Sequence, residues 1–129
     1  MLKVFLIEDS RLLQELLGGI LSELDGVEYC GSTDGETEAL RRLAELQVDL
    51  VIIDIELRQG SGIGVLDALR TGAGLYGTPR KAVLTNYAHP TVRRRCEQFG
   101  MDAFFDKSMQ ITQLIDYVND AVAQKHPPP

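Results

Sequence analysis

The apolar and polar residues of this chain form two patterns that alternate along its length. Residues 2–7 are apolar except for Lys3, and this run is closed by Glu8 and Asp9. Residues 50–53 are an unbroken apolar run that ends at Asp54. Runs this short and this apolar are typical of strands that are buried on both faces of a parallel sheet. We therefore predict strands at both places, and the second is the stronger candidate for a central strand.

Three weaker runs predict the remaining strands, at residues 27–33, 82–85 and 102–106, and the last is followed directly by Lys107. Between the strands, apolar residues recur at the three- and four-residue spacing of a helix. The helical segments are residues 12–24, 39–46, 63–69, 92–99 and 111–122. Asp9 or Ser10 can cap the first helix, Asp34 can cap the second, and Pro90 opens the fourth.

Glycines lead to three further predictions. Gly18 and Gly19 lie inside the first helix, where each costs about 1 kcal/mol relative to alanine, so we expect close packing against a neighbouring element. Gly26 is placed to end that helix. Residues 71–79 contain three more glycines and are predicted to form an extended loop.

Five strands that alternate with five helices predict an α/β fold: a parallel sheet with right-handed crossovers and helices on both faces, in three layers. In such folds the carboxyl ends of the strands gather the chemistry. The polar residues that close the apolar runs all fall at that edge. They are Glu8, Asp9, Asp54, Thr85 and Lys107.

Composition narrows the function without deciding it. The 129 residues are enough for one domain, and 44% hydrophobic with 25% charged residues is ordinary for a globular protein. No apolar run is long enough for a membrane span and no signal peptide is evident, so we expect a cytoplasmic protein with no membrane contact. Cys30 and Cys96 lack the spacing of a zinc site and are predicted to be free thiols.

The net charge of −6 argues against direct nucleic-acid binding, because phosphate contacts need a basic surface. The charge is unevenly distributed. Residues 1–57 carry 13 acidic and four basic residues, whereas residues 58–129 carry six and nine. An acidic first half suits a bound cation, although solvated helix faces account equally well for most of these acids.

Taken singly, the strand-end residues have ordinary explanations. Asp9 can be a helix cap, Thr85 a half-buried strand residue, and Lys107 a solvated turn residue. Together they indicate a site, because three carboxylates at one edge repel one another unless a cation neutralises them. Oxygen ligands favour Mg²⁺ over Zn²⁺. A lysine and a threonine suit a phosphoryl group, and Asp54 is then the candidate nucleophile.

An acidic pair, a lone aspartate, a threonine and a lysine, in this order at the ends of strands one, three, four and five, resemble the response regulator receiver domain of two-component signalling. The resemblance covers residues 2–124. It implies a flavodoxin-like (βα)5 sandwich with strand order 2-1-3-4-5. It also implies that Asp54 accepts a phosphoryl group from a histidine kinase or a histidine phosphotransfer protein.

The resemblance assigns roles to further residues. It makes Asp9 and Asp54 direct Mg²⁺ ligands, Glu8 a ligand through water, and the main-chain carbonyl of Glu56 the third protein ligand. Thr85 and Lys107 would contact the phosphoryl group. Phe104, three residues before Lys107, would be the switch aromatic, which turns inward when Thr85 closes on the phosphate.

The chain departs from the family pattern at two positions. Ser108 follows the lysine where the family usually has proline, commonly after a cis bond, and the sequence leaves the isomer open. Asn86 stands where the residue after the threonine is usually small, and we expect its side chain to restrict access to Asp54. Glu56 and Tyr87 either tune dephosphorylation, as such positions do in the family, or are plain surface residues.

The family binds its targets, or dimerises, through the face of the fourth helix, fifth strand and fifth helix. Here that face includes Phe104, Phe105 and the arginines at positions 93, 94 and 95, which can equally be a solvated helix surface. We expect output to a downstream protein or a second copy through this face, and no turnover of an external substrate.

We expect a receiver domain at residues 1–124 and a disordered tail at residues 125–129. The chain would then signal by contact alone, or it is the receiver part of a longer regulator. Two other functions compete with a phosphorylated switch. A pseudo-receiver would bind partners without turning over phosphate. A haloacid-dehalogenase-type phosphatase fits this sequence less well. In that family the nucleophile follows the first strand and a second aspartate lies two residues later, and this chain lacks that arrangement.

Overall fold

The computed structural model describes residues 1–125. Five strands and six helices follow one another along these residues. The strands are β1 (Leu2–Ile7), β2 (Val27–Thr33), β3 (Leu50–Ile53), β4 (Arg80–Thr85) and β5 (Ala103–Asp106). The helices are α1 (Arg11–Glu23), α2 (Glu36–Leu46), α3 (Gly62–Thr71), α4 (Ala73–Tyr76), α5 (Pro90–Gln98) and α6 (Ile111–Lys125).

All strands of the sheet are parallel, and their order is β2-β1-β3-β4-β5. Both the fold class and the strand order expected from the sequence are confirmed. The register aligns Ile7 with Ile53 and Thr85 with Asp106, so neighbouring strands end at nearly the same level. The polar residues that follow these strands therefore share one edge of the sheet.

Two apolar layers, one on each face of the sheet, make the core. Leu17 of α1 and Leu114 of α6 pack on one face. Leu43 of α2, Leu66 of α3 and Cys96 of α5 pack on the other. Because both faces are covered, the central strands have to be apolar throughout, which explains their unbroken apolar runs.

Helix starts follow local hydrogen bonding, and one predicted cap is wrong. The Ser10 side chain accepts a hydrogen bond from the Leu13 amide at 3.3 Å and caps α1. Helix α2 begins after Gly35, which provides no side-chain cap, and not after Asp34. The Asp34 carboxylate instead lies 3.3 Å from the Arg58 guanidinium. This long-range ion pair competes with capping and joins the loops that follow β2 and β3.

The prediction that residues 71–79 form only an extended loop is also wrong. One helical turn, α4, lies inside it, and the fourth and fifth predicted helices are therefore α5 and α6. The Gln47 side chain donates a hydrogen bond to the Leu75 carbonyl at 2.8 Å, so this carbonyl at the end of the turn has a partner. The prediction rested on the local pattern of glycines, and such a pattern cannot predict a hydrogen bond from a residue so distant in the chain.

The two glycines inside α1 differ in their surroundings. A Cβ atom on Gly18 would lie 3.0 Å from the Tyr29 hydroxyl oxygen, so the expected close packing exists at this position. A Cβ on Gly19 would have no neighbour within 4 Å, and the expectation is wrong there. Only Gly18 is explained by the packing of α1 on β2.

The two ends of the described chain meet at the amino edge of the sheet. Lys125 Nζ lies 3.1 Å from the Met1 carbonyl oxygen and 2.6 Å from Asp49 Oδ2. Lys125 belongs to α6, and residues 126–129, the rest of the predicted tail, lie outside the described residues. Within residues 1–125, no helix has the length and apolar character needed to span a bilayer.

Candidate functional site

A lysine and three carboxylates meet at the carboxyl edge of the sheet. Glu8 and Asp9 follow β1, Asp54 follows β3, and Lys107 follows β5. Lys107 Nζ lies 2.8 Å from Glu8 Oε1, 3.0 Å from Asp54 Oδ2 and 3.8 Å from Asp9 Oδ1. The structure thus brings together four of the residues that the sequence predicts at this edge.

The three carboxylates are close enough to share one cation. One oxygen each from Glu8, Asp9 and Asp54 lies within 4.8 Å of the others. The Glu8 and Asp54 side chains are buried, whereas that of Asp9 is 42% exposed at the mouth of the site. A cleft reaching this mouth is lined by Asp9, Asn86 and Lys107 together with leucines of α1.

Glu8 has one satisfied and one unsatisfied oxygen. Its Oε2 accepts a hydrogen bond from the Ser10 amide at 2.8 Å. Its Oε1 is buried and makes no hydrogen bond among the described residues, and its neighbour at 2.8 Å is the ammonium group of Lys107, which forms an ion pair with it. The Gln14 side chain donates to the Glu8 carbonyl and fixes the backbone here. A buried carboxylate oxygen that is ion-paired with Lys107 and lies beside two other carboxylates is a suitable cation ligand.

Burial sets the protonation of the cluster. Burial and the neighbouring Asp9 carboxyl raise the pKa of Glu8 to about 7. Burial and Asp9 likewise raise the pKa of Asp54 to about 6, although Lys107 opposes both increases. The neighbouring Glu8 carboxyl holds the pKa of Asp9 below its ordinary value. Burial alone would lower the pKa of Lys107, but its bonds to Glu8 and Asp54 outweigh burial and raise it.

Main-chain hydrogen bonds and the close approach of the start of α3 fix the position of Asp54. Its amide donates to the Ile7 carbonyl at 2.9 Å, and its Oδ1 accepts from the Glu56 amide at 3.4 Å. A Cβ atom on Gly62 would lie 2.2 Å from the Asp54 carbonyl oxygen. The sequence pattern alone did not identify this role of Gly62. Its position eight residues after Asp54, at a helix start, was the available signal.

The residues around Thr85 occupy two different environments. The Thr85 side chain is fully buried, and its Oγ1 accepts a hydrogen bond from the Tyr87 amide at 3.0 Å. The Lys107 amide donates to the Thr85 carbonyl at 2.9 Å, which joins β4 to the end of β5. The side chains of Glu56, Asn86 and Tyr87 are exposed, and Asn86 lies on the cleft that leads to Asp9.

The ring of Phe104 faces inward in this structure and is 9% exposed. The Arg93 guanidinium lies over it, 5.6 Å from the ring centroid. Arg95 lies over a different ring, that of Phe99, at 5.8 Å. The adjacent arginines of α5 therefore do not form one uniform patch.

The bond between Lys107 and Ser108 is trans, since the described chain contains no cis peptide bond. The Ser108 amide and hydroxyl donate to Asp106 Oδ1 at 2.9 and 2.7 Å. These two hydrogen bonds form the turn after β5 at the place where the family usually has proline.

Comparison with known proteins identifies the family. The family model of the response regulator receiver domain matches residues 4–119. The chain belongs to this family. It is therefore a receiver domain of two-component signalling, a family associated with phosphorylation-dependent switching.

Known relatives and solved structures agree with this assignment. The uncharacterized transcriptional regulatory protein YvfU of Bacillus subtilis is 28% identical over 125 residues, which cover 97% of this chain and 61% of YvfU. A LuxR-family DNA-binding response regulator from Staphylococcus aureus matches with a TM-score of 0.84 at 21% identity, covering 95% of this chain and 99% of that one. The match to the Staphylococcus aureus structure shows that the two chains share a fold.

A third match was solved with a metal. The receiver domain of the sensor histidine kinase PA1611 from Pseudomonas aeruginosa PAO1 has a magnesium ion coordinated in its active-site cleft. It matches with a TM-score of 0.80 at 20% identity, covering 95% of this chain and 98% of that one. The chain spans less than two thirds of the length of curated regulators that it matches.

Proposed function

We propose that this receiver domain is a switch in which Asp54 accepts a phosphoryl group from the phosphohistidine of a kinase or phosphotransfer protein. One observation carries the proposal. Asp54 is a buried carboxylate at the end of a central strand, and an ammonium group lies 3.0 Å from one of its oxygens. A buried nucleophile with a cation beside it can attack a phosphoryl group and hold the negative charge that arrives with it.

The carboxylate cluster fits a Mg²⁺ ion. Glu8, Asp9 and Asp54 offer oxygen atoms close together, and Glu8 Oε1 is a buried oxygen that makes no hydrogen bond among the described residues. Asp9, Asp54 and the Glu56 carbonyl would hold the ion directly, and Glu8 would hold it through water. When bound, the ion neutralises the carboxylates and the oxygens of the transferred group.

The transfer moves one phosphoryl group from the donor histidine to Asp54. A carboxylate oxygen of Asp54 forms a bond to phosphorus while the bond from phosphorus to the donor histidine nitrogen breaks. The imidazole leaves with the electron pair of that bond and takes up a proton from the solvent. Lys107 and the Thr85 hydroxyl then hold oxygens of the phosphoryl group on Asp54. Loss of the group to water is tuned by Glu56, Asn86 and Tyr87, whose side chains are exposed; Asn86 also lines the cleft that leads to Asp9.

The output of the switch is a protein contact on the face of α5, β5 and α6. A groove there is lined by Phe104, Arg93, Arg94 and Met109, among others. Its mixture of apolar and basic side chains suits a downstream protein or a second copy of the chain. Residues 1–124 make the receiver domain in this proposal, and its chemistry is confined to its own aspartate.

Incubation with acetyl phosphate and Mg²⁺, followed by intact-mass analysis, tests the proposal. We expect one added phosphoryl group that hydroxylamine removes, and no addition to Asp54→Asn. Asp67→Asn, which removes an exposed carboxylate of α3, is the matched control and should be labelled like the wild type. Labelling of Asp54→Asn would contradict the assignment, and a wild type that is never labelled would indicate a pseudo-receiver.

A further inference from the structure

The contact between Arg93 and Phe104 joins helix α5 to strand β5 directly above the proposed switch. We propose that Arg93 is a positioning residue for Phe104. The guanidinium of Arg93 stacks on the ring, favours its inward position and so strengthens closure of the phosphorylated site. This inference rests on the proposed function, since it concerns the regulation of the same site.

The first support is the geometry of the contact. The Arg93 guanidinium carbon lies 5.6 Å from the ring centroid of Phe104, within the range of a cation–π interaction. Arg93 Nε also donates to Glu97 Oε1 at 3.3 Å, one helical turn further along α5. The guanidinium is thus held between a carboxylate of its own helix and a ring of the sheet, which restricts it to the position above Phe104.

The second support is the relation of Phe104 to Thr85. In the register of β4 with β5, Val83 is opposite Phe104 and Thr85 is opposite Asp106. Side chains two residues apart on a strand point to the same face, so Thr85 and Phe104 share one face of two neighbouring strands. Phe104 packs in the same apolar layer as Val83. A shift of Thr85 toward a phosphoryl group therefore changes the space available to the ring.

The third support is the groove around the ring. Phe104 and Arg93 line it together with Ala88 and Pro90, which belong to the loop after β4 and the start of α5. That loop also carries Tyr87, whose amide holds the Thr85 oxygen at 3.0 Å. The side chain that covers the ring and the loop that is hydrogen-bonded to Thr85 thus border the same groove.

Neighbouring arginines do not share this position. Arg95 stacks on Phe99 at 5.8 Å, and Arg70 covers the same ring at 5.4 Å. Removal of Arg95 leaves Phe99 with a second arginine and does not touch Phe104. Arg95→Ala therefore loses an equivalent contact on the same helix and is the matched control for Arg93→Ala.

The test uses the full chain in which phenylalanine is replaced by 4-fluorophenylalanine. The sequence contains four phenylalanines, so four ¹⁹F signals are expected, and Phe104→Leu assigns the one of interest. In Arg93→Ala we expect that signal to become more accessible to a soluble paramagnetic chelate. In Arg95→Ala we expect it to behave as in the wild type.

The functional arm measures binding of beryllofluoride, a phosphoryl mimic, in the presence of Mg²⁺. The contact affects binding only as far as it is stronger in the closed state, and a cation–π contact at an exposed position corresponds to a factor of about five at most, so Arg93→Ala should bind beryllofluoride up to about fivefold more weakly. Arg93→Lys keeps a cation above the ring and should recover part of this loss, whereas Arg93→Met should not. In the Phe104→Leu background, Arg93→Ala should have no further effect, because the ring is gone.

Each outcome decides the inference. Equal behaviour of Arg93→Ala and Arg95→Ala in both measurements would overturn it. An undiminished effect of Arg93→Ala in Phe104→Leu would also overturn it, because Arg93 would then act through some other contact. If the wild type does not bind beryllofluoride, the proposed function fails, and the ¹⁹F measurement still decides whether Arg93 holds the ring.

Discussion

Lys107 Nζ lies 3.0 Å from Asp54 Oδ2, although the two residues are 53 positions apart in the chain. The contact exists because β3 and β5 end at the same edge of the sheet and Lys107 reaches across the end of β4. Its ammonium also approaches Glu8 and Asp9. One cation thus offsets the mutual repulsion of three carboxylates.

Replacement of that cation should destabilise the protein and increase its response to Mg²⁺. In Lys107→Met, the buried carboxylates lose their counter-charge, and we expect a loss of about 2 kcal/mol in unfolding free energy at pH 8 in EDTA. Mg²⁺ should restore more stability to this variant than to the wild type. Urea denaturation with and without Mg²⁺ measures both effects. Lys81→Met removes a charge at the opposite edge of the sheet, and an equal loss in that control would contradict the prediction.

Removal of the exposed carboxylate should affect the metal and not the fold. Asp9 lies 42% exposed at the mouth of the site, so Asp9→Asn should fold normally. We expect its Mg²⁺ affinity to fall about tenfold or more, because a direct ligand is lost. Titration by NMR, following the amides of residues 8–10 and 54, gives the affinity. Asp34→Asn removes an exposed acid paired with Arg58 and should leave it unchanged, and a wild-type affinity in Asp9→Asn would exclude Asp9 as a ligand.

The raised pKa of Glu8 predicts a pH dependence of stability in metal-free protein. Its pKa rises on folding from 4.5 to about 7, so the folded state binds the proton more tightly than the unfolded state. The stability linked to Glu8 is therefore complete below about pH 4.5 and is lost as the pH rises to 7. Glu8→Gln stays neutral and should gain about 1–3 kcal/mol over the wild type between pH 4.5 and 8. Denaturation in EDTA at several pH values measures this difference, and a constant difference would refute the prediction.

Gly62 should tolerate no side chain. Its Cβ would come within 2.2 Å of the Asp54 carbonyl oxygen, a backbone atom that cannot move aside without displacing the end of β3. We expect Gly62→Ala to lower the unfolding free energy by about 1–3 kcal/mol and to slow labelling by acetyl phosphate. Gly74→Ala meets nothing within 4 Å and is the control, which should be neutral or slightly stabilising. Equal stability of the two variants would show that α3 can withdraw from Asp54.

The sequence predicts those features of this protein that depend on chain periodicity. Burial on both faces makes β1 and β3 almost wholly apolar, and the parallel topology then brings Glu8, Asp54 and Lys107 to one edge. Contacts between distant side chains are not predictable in this way. Asp34 is a good cap residue by type, yet its carboxylate pairs with Arg58, and the turn at α4 depends on a hydrogen bond from Gln47.

The candidate site likewise has features that the sequence predicts and contacts that it does not predict. The charged residues of the site can be identified from the sequence, because each of them directly follows an apolar run that predicts a buried strand. The stacking of Arg93 on Phe104 depends on how α5 packs beside β5, which no spacing in the sequence encodes. The position of Gly62 against the Asp54 carbonyl has the same character, since it depends on how closely α3 returns to β3.

The clasp of Lys125 with Met1 and Asp49 has a practical consequence for experiments on this protein. It places both ends of the described chain beside the start of β1, while the carboxylates lie beyond the opposite end of the same strand, about 20 Å away. A protein tethered to a sensor surface through either end would present the carboxylate cleft outward, toward the solution. Donor proteins flowed over such a surface could then reach Asp54 without obstruction by the attachment.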